Sequence, residues 1–82
     1  MTSTPNIFEA VMDARRDNNI FFADLQKLLD TMDFKHRIKG CHHIYWREGI
    51  DEIINIQSDD GEAKAYQVKQ VRGIIQKYAL NF

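Results

Sequence analysis

The chain is predicted to be one α+β domain in which helices cover one face of a three-stranded antiparallel sheet. Two patterns predict this class. Apolar residues recur at helical spacing near both ends of the chain, and they alternate with polar residues at strand spacing in the middle. The length of 82 residues, 44% of them hydrophobic, suffices for one hydrophobic core and is too short for two domains.

Two helices are predicted before residue 33. Thr4 can cap a helix and Pro5 suits its first turn, so the first helix is expected to begin here and to continue to about Arg16. The polar residues 17–19 interrupt the apolar pattern. Residues 22–32 then carry apolar side chains at helical spacing and are predicted to form the second helix.

Three strands are predicted in the middle of the chain. Ile38 lies between Arg37 and Lys39, an alternation typical of a strand, and residues 43–46 are rich in the aromatic and β-branched types that strands favour. Gly40 between these two segments predicts a tight hairpin turn. Residues 48–49 are expected to form the next turn and residues 53–56 the third strand.

A loop and a last helix complete the predicted order. Residues 58–61 have the composition of a loop. From about Ala65 the apolar residues return to helical spacing, with Val68, Val71, Ile75 and Tyr78 on one stripe. The predicted order is therefore helix, helix, three strands, helix.

Charge is distributed unevenly along the chain, although the formal net charge is only −1. Residues 34–47 contain four basic side chains and no acidic one, and so do residues 63–82, whereas residues 48–62 contain six acidic side chains and no basic one. Anion binding responds to the local potential, so the two basic segments indicate a surface that faces phosphate groups. Solvated charge that happens to cluster is the alternative. The residues expected to bind phosphate are Lys35, Arg37, Lys39, Arg47, Lys64 and Lys69.

Composition excludes several classes of protein. No apolar segment approaches the roughly 20 residues that cross a bilayer. Cys41 is the only cysteine, which excludes an intrachain disulfide framework and a zinc site built from several cysteines. These features predict a soluble protein of a reducing compartment, the cytoplasm.

The densest group of reactive side chains is Cys41, His42 and His43, which follow the predicted turn and lie among basic residues. A histidine in this place could act on RNA as a general acid or base. The ordinary imidazole pKa of about 6.5 leaves both protonation states populated near neutral pH. The alternative is that one histidine caps the turn or packs half-buried in the core.

Strand alternation prevents both histidines from reaching one substrate atom, because adjacent side chains point to opposite faces. Tyr45 and Arg47 share a face with His43, whereas Ile44 and Trp46 share the other face with His42. If Ile44 and Trp46 face the helices, His43 is the exposed histidine.

Other chemistry is less favoured at this place. Alternation separates Cys41, His42 and His43, and no fourth ligand is evident, so no metal site is expected. Cys41 is no better as a nucleophile, because the histidine beside it in sequence points the other way. Tyr45 and Trp46 could stack on bases, although at least one of the two is expected in the core.

Three segments of the chain resemble, in order, the HicA (YcfA-like) toxins of bacterial and archaeal toxin–antitoxin systems. They are DLQKLLDTMDF, RIKGCHHIYWREG, and INIQ together with AKAYQVKQVRGIIQKYAL, and they lie within residues 24–80. Gly40 and the two histidines occupy the place of the family's glycine-serine-histidine turn. Cys41 replaces the serine of that turn, and Asp33 replaces a glycine at the end of the preceding helix.

The resemblance implies a fold and an activity. The fold is like that of a double-stranded-RNA-binding domain for the core, residues 22–80, with residues 1–18 as an N-terminal helical extension of a single domain, residues 1–82. The activity is that of an mRNA interferase, an endoribonuclease toxin of a type II system that blocks translation. The resemblance also implies no metal or other cofactor, no direct action on DNA or membranes, and neutralisation by a HicB-type antitoxin. The family's catalytic histidine corresponds to His42 in most members and to His43 in some, so both are candidates.

The resulting hypothesis assigns general-base catalysis to His42 or His43, which would take a proton from a ribose 2′-hydroxyl that attacks the adjacent phosphate. Arg37, Lys39 and Arg47 would stabilise the developing negative charge and hold the RNA backbone. A non-catalytic RNA-binding module that uses the same basic face is the alternative function. A plain protein-interaction domain is the third.

Overall fold

Helices form both ends of residues 3–82, the part of the chain that the computed structural model describes, and strands lie between them. The helical segments are α1 (Thr4–Met12), a 3-10 turn (Ala14–Arg16), α2 (Phe22–Thr31) and α3 (Ala65–Tyr78). The strands are β1 (Lys35–Lys39), β2 (His42–Trp46), β3 (Ile54–Ile56), β4 (Ser58–Asp59) and β5 (Glu62–Ala63). The predicted order of two helices, three strands and a helix is confirmed, and β4 and β5 add a short hairpin before α3.

β1, β2 and β3 form an antiparallel sheet with β2 in the centre. Lys39 pairs with His42 across a two-residue loop made of Gly40 and Cys41. The backbone of Gly40 has a φ of +62°, a left-handed conformation that glycine adopts at little steric cost. The tight turn predicted at Gly40 is therefore confirmed, and it sets the register of the whole hairpin.

One face of the sheet packs against the helices. Tyr45, Ile54 and Ile56 point to this face and are fully buried, in one core with Leu25 of α2 and Val71 of α3. The opposite face carries exposed and half-buried side chains and remains open to solvent. The α+β class with a three-stranded antiparallel sheet is confirmed.

The first helix belongs to the same core as the rest of the chain. Ile7, Ala10 and Val11 are buried in it. Arg72 of α3 donates a hydrogen bond to the carbonyl of Val11 at 3.2 Å and two more to the carboxylate of Asp17 at 2.6 and 3.2 Å. The resemblance implied that this segment is an N-terminal extension. It is instead held to α3 by apolar packing and by the hydrogen bonds of Arg72 with Val11 and Asp17.

The first α-helix begins and ends earlier than predicted. Ser3 rather than Thr4 is its N-cap, because the Ser3 side chain accepts a hydrogen bond from the backbone N–H of Asn6 at 3.4 Å. The helix stops at Met12 because Asp13 has an extended backbone and its carboxylate caps the 3-10 turn that follows. The carboxylate of Asp13 thus competes with the helix for backbone N–H groups, and the predicted first helix is divided into α1 and the 3-10 turn.

Residues 58–61, predicted as a loop, lie in the β4–β5 hairpin. This hairpin is fastened to the start of α2 by two backbone hydrogen bonds. The N–H of Ala63 donates to the carbonyl of Ile20 at 2.9 Å, and the N–H of Phe22 donates to the carbonyl of Gly61 at 3.0 Å. The strands are only two residues long, which is too short for a periodic signal in the sequence.

Candidate functional site

The face of the sheet opposite the helices collects side chains from all three long strands and from the residue before β3. We refer to it as the open face. Its residues are Lys35, Arg37, Lys39, His42, Ile44, Trp46, Ile53 and Asn55. Their orientation follows from strand alternation, because Tyr45 and Ile54 are buried against the helices and their neighbours in sequence therefore point away from them.

Each cation of β1 lies directly opposite one residue of β2. The cross-strand pairs are Lys39 with His42, Arg37 with Ile44, and Lys35 with Trp46. Side chains opposed in this way have Cβ atoms about 5 Å apart. All three cations are exposed, and none forms an ion pair with another of residues 3–82. Their charge is therefore available to an external anion.

His42 is exposed at the beginning of β2, at the end of the open face next to the hairpin turn. Its Nδ1 lies 3.1 Å from Oδ1 of Asn55 in β3. An amide oxygen only accepts hydrogen bonds, so Nδ1 carries the proton of the neutral ring and Nε2 keeps a free lone pair. This arrangement, beside Lys39, is the one that a general base requires.

A shallow groove lies farther along the open face. It has a volume of about 280 Å³ and is lined by Arg37, Ile44, Trp46 and Ile53. Ile53 is 63% exposed, so the apolar lining is accessible from solvent. The open face therefore combines a row of cations, an exposed histidine and an apolar groove with one aromatic ring.

His43 points to the opposite face and is half-buried between β1 and α2. Its Nδ1 lies 3.0 Å from the amide nitrogen of Gln26 and 3.1 Å from Nε2 of His36. The ring of Phe22 meets the His43 ring edge-on at a centroid distance of 5.0 Å. His43 is therefore a packed residue with one ring nitrogen already engaged.

The condition under which His43 would be the exposed histidine, with Ile44 and Trp46 facing the helices, is not met. Both faces of β2 carry aromatic and apolar residues, so alternation alone does not indicate which face is buried. The pairing of β2 with β3 shows which face of β2 is buried. Tyr45 lies opposite Ile54, and both are fully buried on the helix side.

Burial lowers the pKa of His43, and the nearby charge of His36 lowers it further. The hydrogen bond between Gln26 and His43 also requires a neutral His43 ring. The amide nitrogen of Gln26 only donates, so Nδ1 of His43 must be unprotonated to accept from it. The folded protein therefore favours a neutral His43.

Folding stability is expected to fall as the pH drops below about 6.5, in part because of His43. Its pKa is lower in the folded than in the unfolded state, so the unfolded chain takes up the proton first. This contribution to the free energy of unfolding is complete above the ordinary value of 6.5 and is lost as the pH falls through the lowered value of the folded state.

Urea unfolding at neutral and mildly acidic pH measures this effect. The variant His43→Gln should lose less stability than the parent over that range, because its amide does not titrate. The variant His42→Gln is the matched control, since it removes an exposed histidine and leaves the contacts of His43 with Gln26 and His36 in place. Equal dependence in all three proteins would contradict a role for His43.

Tyr45 completes the polar cluster on the helix side of the sheet. Its ring stacks on the ring of His36 at a centroid distance of 4.1 Å. Within the described residues its buried hydroxyl has no partner in hydrogen-bond geometry. Burial raises the pKa of Tyr45 to about 12, an effect that the nearby Gln26 amide partly opposes. Tyr45 is thus the core member of the aromatic pair, as expected for one of the two, and Trp46 lies on the open face.

The remaining residues expected to bind phosphate lie away from His42. Arg47 follows the end of β2, is half-buried, and lies about 17 Å from His42 at the usual strand rise of about 3.4 Å per residue. Lys64 is the N-cap of α3 and Lys69 is exposed on that helix, in the helical layer behind the sheet. The fold therefore puts the three cations of β1 on the same face as His42, whereas Lys64 and Lys69 lie in the helical layer and Arg47 lies beyond the end of β2.

Sequence reasoning missed the contact between Asn55 and His42. The signal is present in the third strand, where Asn55 lies between Ile54 and Ile56. A polar residue between two buried apolar ones must point to the opposite face. What the sequence does not reveal is that this face also presents His42.

Comparison with known proteins adds no relative. No protein family, no curated protein and no solved structure matches the chain. In the described part of the chain, no group of three or more His, Cys, Asp or Glu side chains is placed to hold a metal ion. No helix of residues 3–82 is long and apolar enough to span a membrane.

Proposed function

We propose that this chain is an endoribonuclease toxin of the HicA type, with a fold like that of a double-stranded-RNA-binding domain, and that it cleaves mRNA on the open face. The observation that carries the proposal is the position of His42. It is exposed beside Lys39, with Nδ1 bonded to Asn55 and Nε2 free. A row of cations attracts an RNA backbone, and a free imidazole nitrogen beside that row can remove a proton from the bound RNA.

In the proposed reaction, Nε2 of His42 takes the proton from a ribose 2′-hydroxyl. The 2′-oxygen attacks the adjacent phosphorus atom, and the bond between phosphorus and the 5′-oxygen breaks. The departing oxygen takes a proton from the imidazolium or from water, so the products are a 2′,3′-cyclic phosphate and a 5′-hydroxyl. Lys39, opposite His42, stabilises the negative charge that develops on the phosphate oxygens.

Other residues of the open face have supporting roles in this proposal. Asn55 holds the imidazole in the tautomer that leaves Nε2 unprotonated. Arg37 and Lys35 bind phosphates farther along the strand and so hold the RNA in position. His43, on the other side of the sheet, contributes to packing.

A HicB-type antitoxin is proposed to cover the open face in the cytoplasm. Acidic side chains of the partner would mask the cations of β1, and such complementarity mainly sets the specificity and speed of association. Because His42 lies on the same face, one contact surface would block RNA binding and catalysis together.

Incubation of the purified protein with single-stranded mRNA tests the proposal. We expect cleavage to fragments with 2′,3′-cyclic phosphate ends, both with and without a chelator. Binding should weaken as salt is added, with a slope of about −0.7 in log K against log salt for each phosphate contacted. RNA that is bound with such a slope but stays intact would favour the alternative, a non-catalytic RNA-binding module. Affinity that does not change with salt would contradict phosphate binding itself.

A further inference from the structure

The groove on the open face combines an aromatic ring with a cation. Three of its four lining residues are apolar, namely Ile44, Trp46 and Ile53, and the fourth is Arg37. Trp46 is directly opposite Lys35 in the hairpin, so a second cation lies at the edge of the groove. An occupant of this groove should therefore have an apolar surface and carry negative charge next to it.

We infer that the groove is a subsite for one unpaired nucleobase, stacked on Trp46, of the RNA strand whose phosphates lie on the cations of β1. The inference rests on the proposed function, since it concerns the same RNA. A nucleobase has a flat apolar face and is attached to an anionic backbone, which matches both parts of the groove. An acidic peptide matches the charge of the face but offers no flat ring for Trp46.

The position of the groove defines which nucleotide it holds. Trp46 lies four residues from His42 on the same strand and the same face, about 14 Å away at the usual rise per residue. A base on Trp46 therefore belongs to a nucleotide other than the one attacked at His42. The cation of Arg37, between the two positions, is placed to hold the connecting phosphate.

The subsite also defines the class of RNA. In a duplex each base is stacked on its neighbours and paired, so it has no free face to offer to a protein side chain. A groove that takes one base by stacking therefore selects single-stranded RNA, or a loop, over a duplex. The cations alone would not make this selection, because both forms carry phosphates.

The fluorescence of Trp46 provides a direct test, because it is the only tryptophan in the chain. The probe is a short 2′-O-methyl oligonucleotide of mixed sequence, which lacks the attacking hydroxyl and is not cleaved. We expect the single strand to quench Trp46 fluorescence in a saturable way, and the same strand in a duplex to quench it far less. Stacking of one base contributes enough that Trp46→Leu should weaken binding of a labelled probe by about 10- to 100-fold.

Two further variants distinguish a loss of base stacking from a loss of folding. Trp46→Phe keeps an aromatic ring and should retain affinity between those of the parent and the leucine variant. Tyr66→Leu is the matched control, because Tyr66 is a 63% exposed aromatic residue on α3, in the helical layer, and its loss should leave binding unchanged.

Several outcomes would overturn the subsite. They are the absence of quenching by the single strand, equal quenching by the duplex, and equal quenching by an acidic peptide. Cleavage with no quenching would remove the subsite alone. Quenching with no cleavage would support the subsite and contradict the proposed nuclease function. The variant His42→Ala should stop cleavage and keep the quenching, which separates the two proposals in one protein.

Discussion

The variant His42→Ala is expected to fold as the parent does and to lose nearly all RNA cleavage. General acid–base catalysis contributes about 10²- to 10⁴-fold to a reaction rate, so the single-turnover rate should fall by that factor. The fold should persist because the His42 side chain is exposed and its hydrogen bond is with Asn55 at the surface. Circular dichroism and the rate of cleavage of a labelled RNA measure the two quantities.

The variant His43→Ala should show the opposite behaviour. It removes the contacts with Gln26 and His36, so the free energy of unfolding should fall by about 1 kcal/mol. The folded fraction should still cleave RNA, since His43 does not reach the open face. A folded His42→Ala protein with the parent's activity would refute the assignment of the base, and so would a folded His43→Ala protein with no activity.

The variant Asp17→Ala is expected to lower the free energy of unfolding by about 3 kcal/mol. The side chains of Arg72 and Asp17 are only 11% and 18% exposed. Removal of one partner of a buried pair costs about 3 to 5 kcal/mol, because the other charge stays buried without compensation, and this part-buried pair lies at the lower end of that range. In this variant, the carbonyl of Val11 would remain as the neutral acceptor for the Arg72 guanidinium. Urea denaturation measures the loss.

Two comparisons identify the cause of that loss. Lys77→Ala breaks the ion pair between Lys77 and Glu52, whose side chains are 59% and 32% exposed, respectively. This variant should change the free energy of unfolding little, because exposed ion pairs contribute little. The double variant Asp17→Ala with Arg72→Met should recover part of the lost stability, since it leaves no unpaired charge. If Asp17→Ala costs no more than Lys77→Ala, the ion pair between Asp17 and Arg72 is not a major source of stability.

Local patterns were sufficient to predict the order of the three α-helices and the three longer strands. Helical and strand periods depend on neighbours a few residues away, and glycine tolerates the left-handed backbone that a tight hairpin needs. The ends of the elements were harder, as α1 shows. Ser3 and Thr4 could each cap the beginning of α1, and the extended backbone of Asp13 ends it, and composition does not distinguish these conformations.

The candidate site was only partly predictable for a related reason. The turn at Gly40 places Lys39 opposite His42, and both residues were expected in the site. Arg47 was also expected in the site, as a member of the same basic segment. An extended strand instead carries it about 17 Å away, since each residue adds about 3.4 Å.

The sequence by itself therefore determined the approximate positions of the long helices and of the tight hairpin turn, because these depend on short-range steric and periodic preferences. Only the tertiary structure decided that His42 faces solvent and His43 the helices. Both faces of β2 are apolar enough to be buried, and the choice depends on Ile54 of the neighbouring strand and on the helices that cover it. The tertiary structure likewise decided that Arg72, which belongs to a basic segment of the sequence, is bonded to Asp17 and to the carbonyl of Val11. Its partner Asp17 lies 55 residues away in the chain, and no local preference reports a contact over that separation.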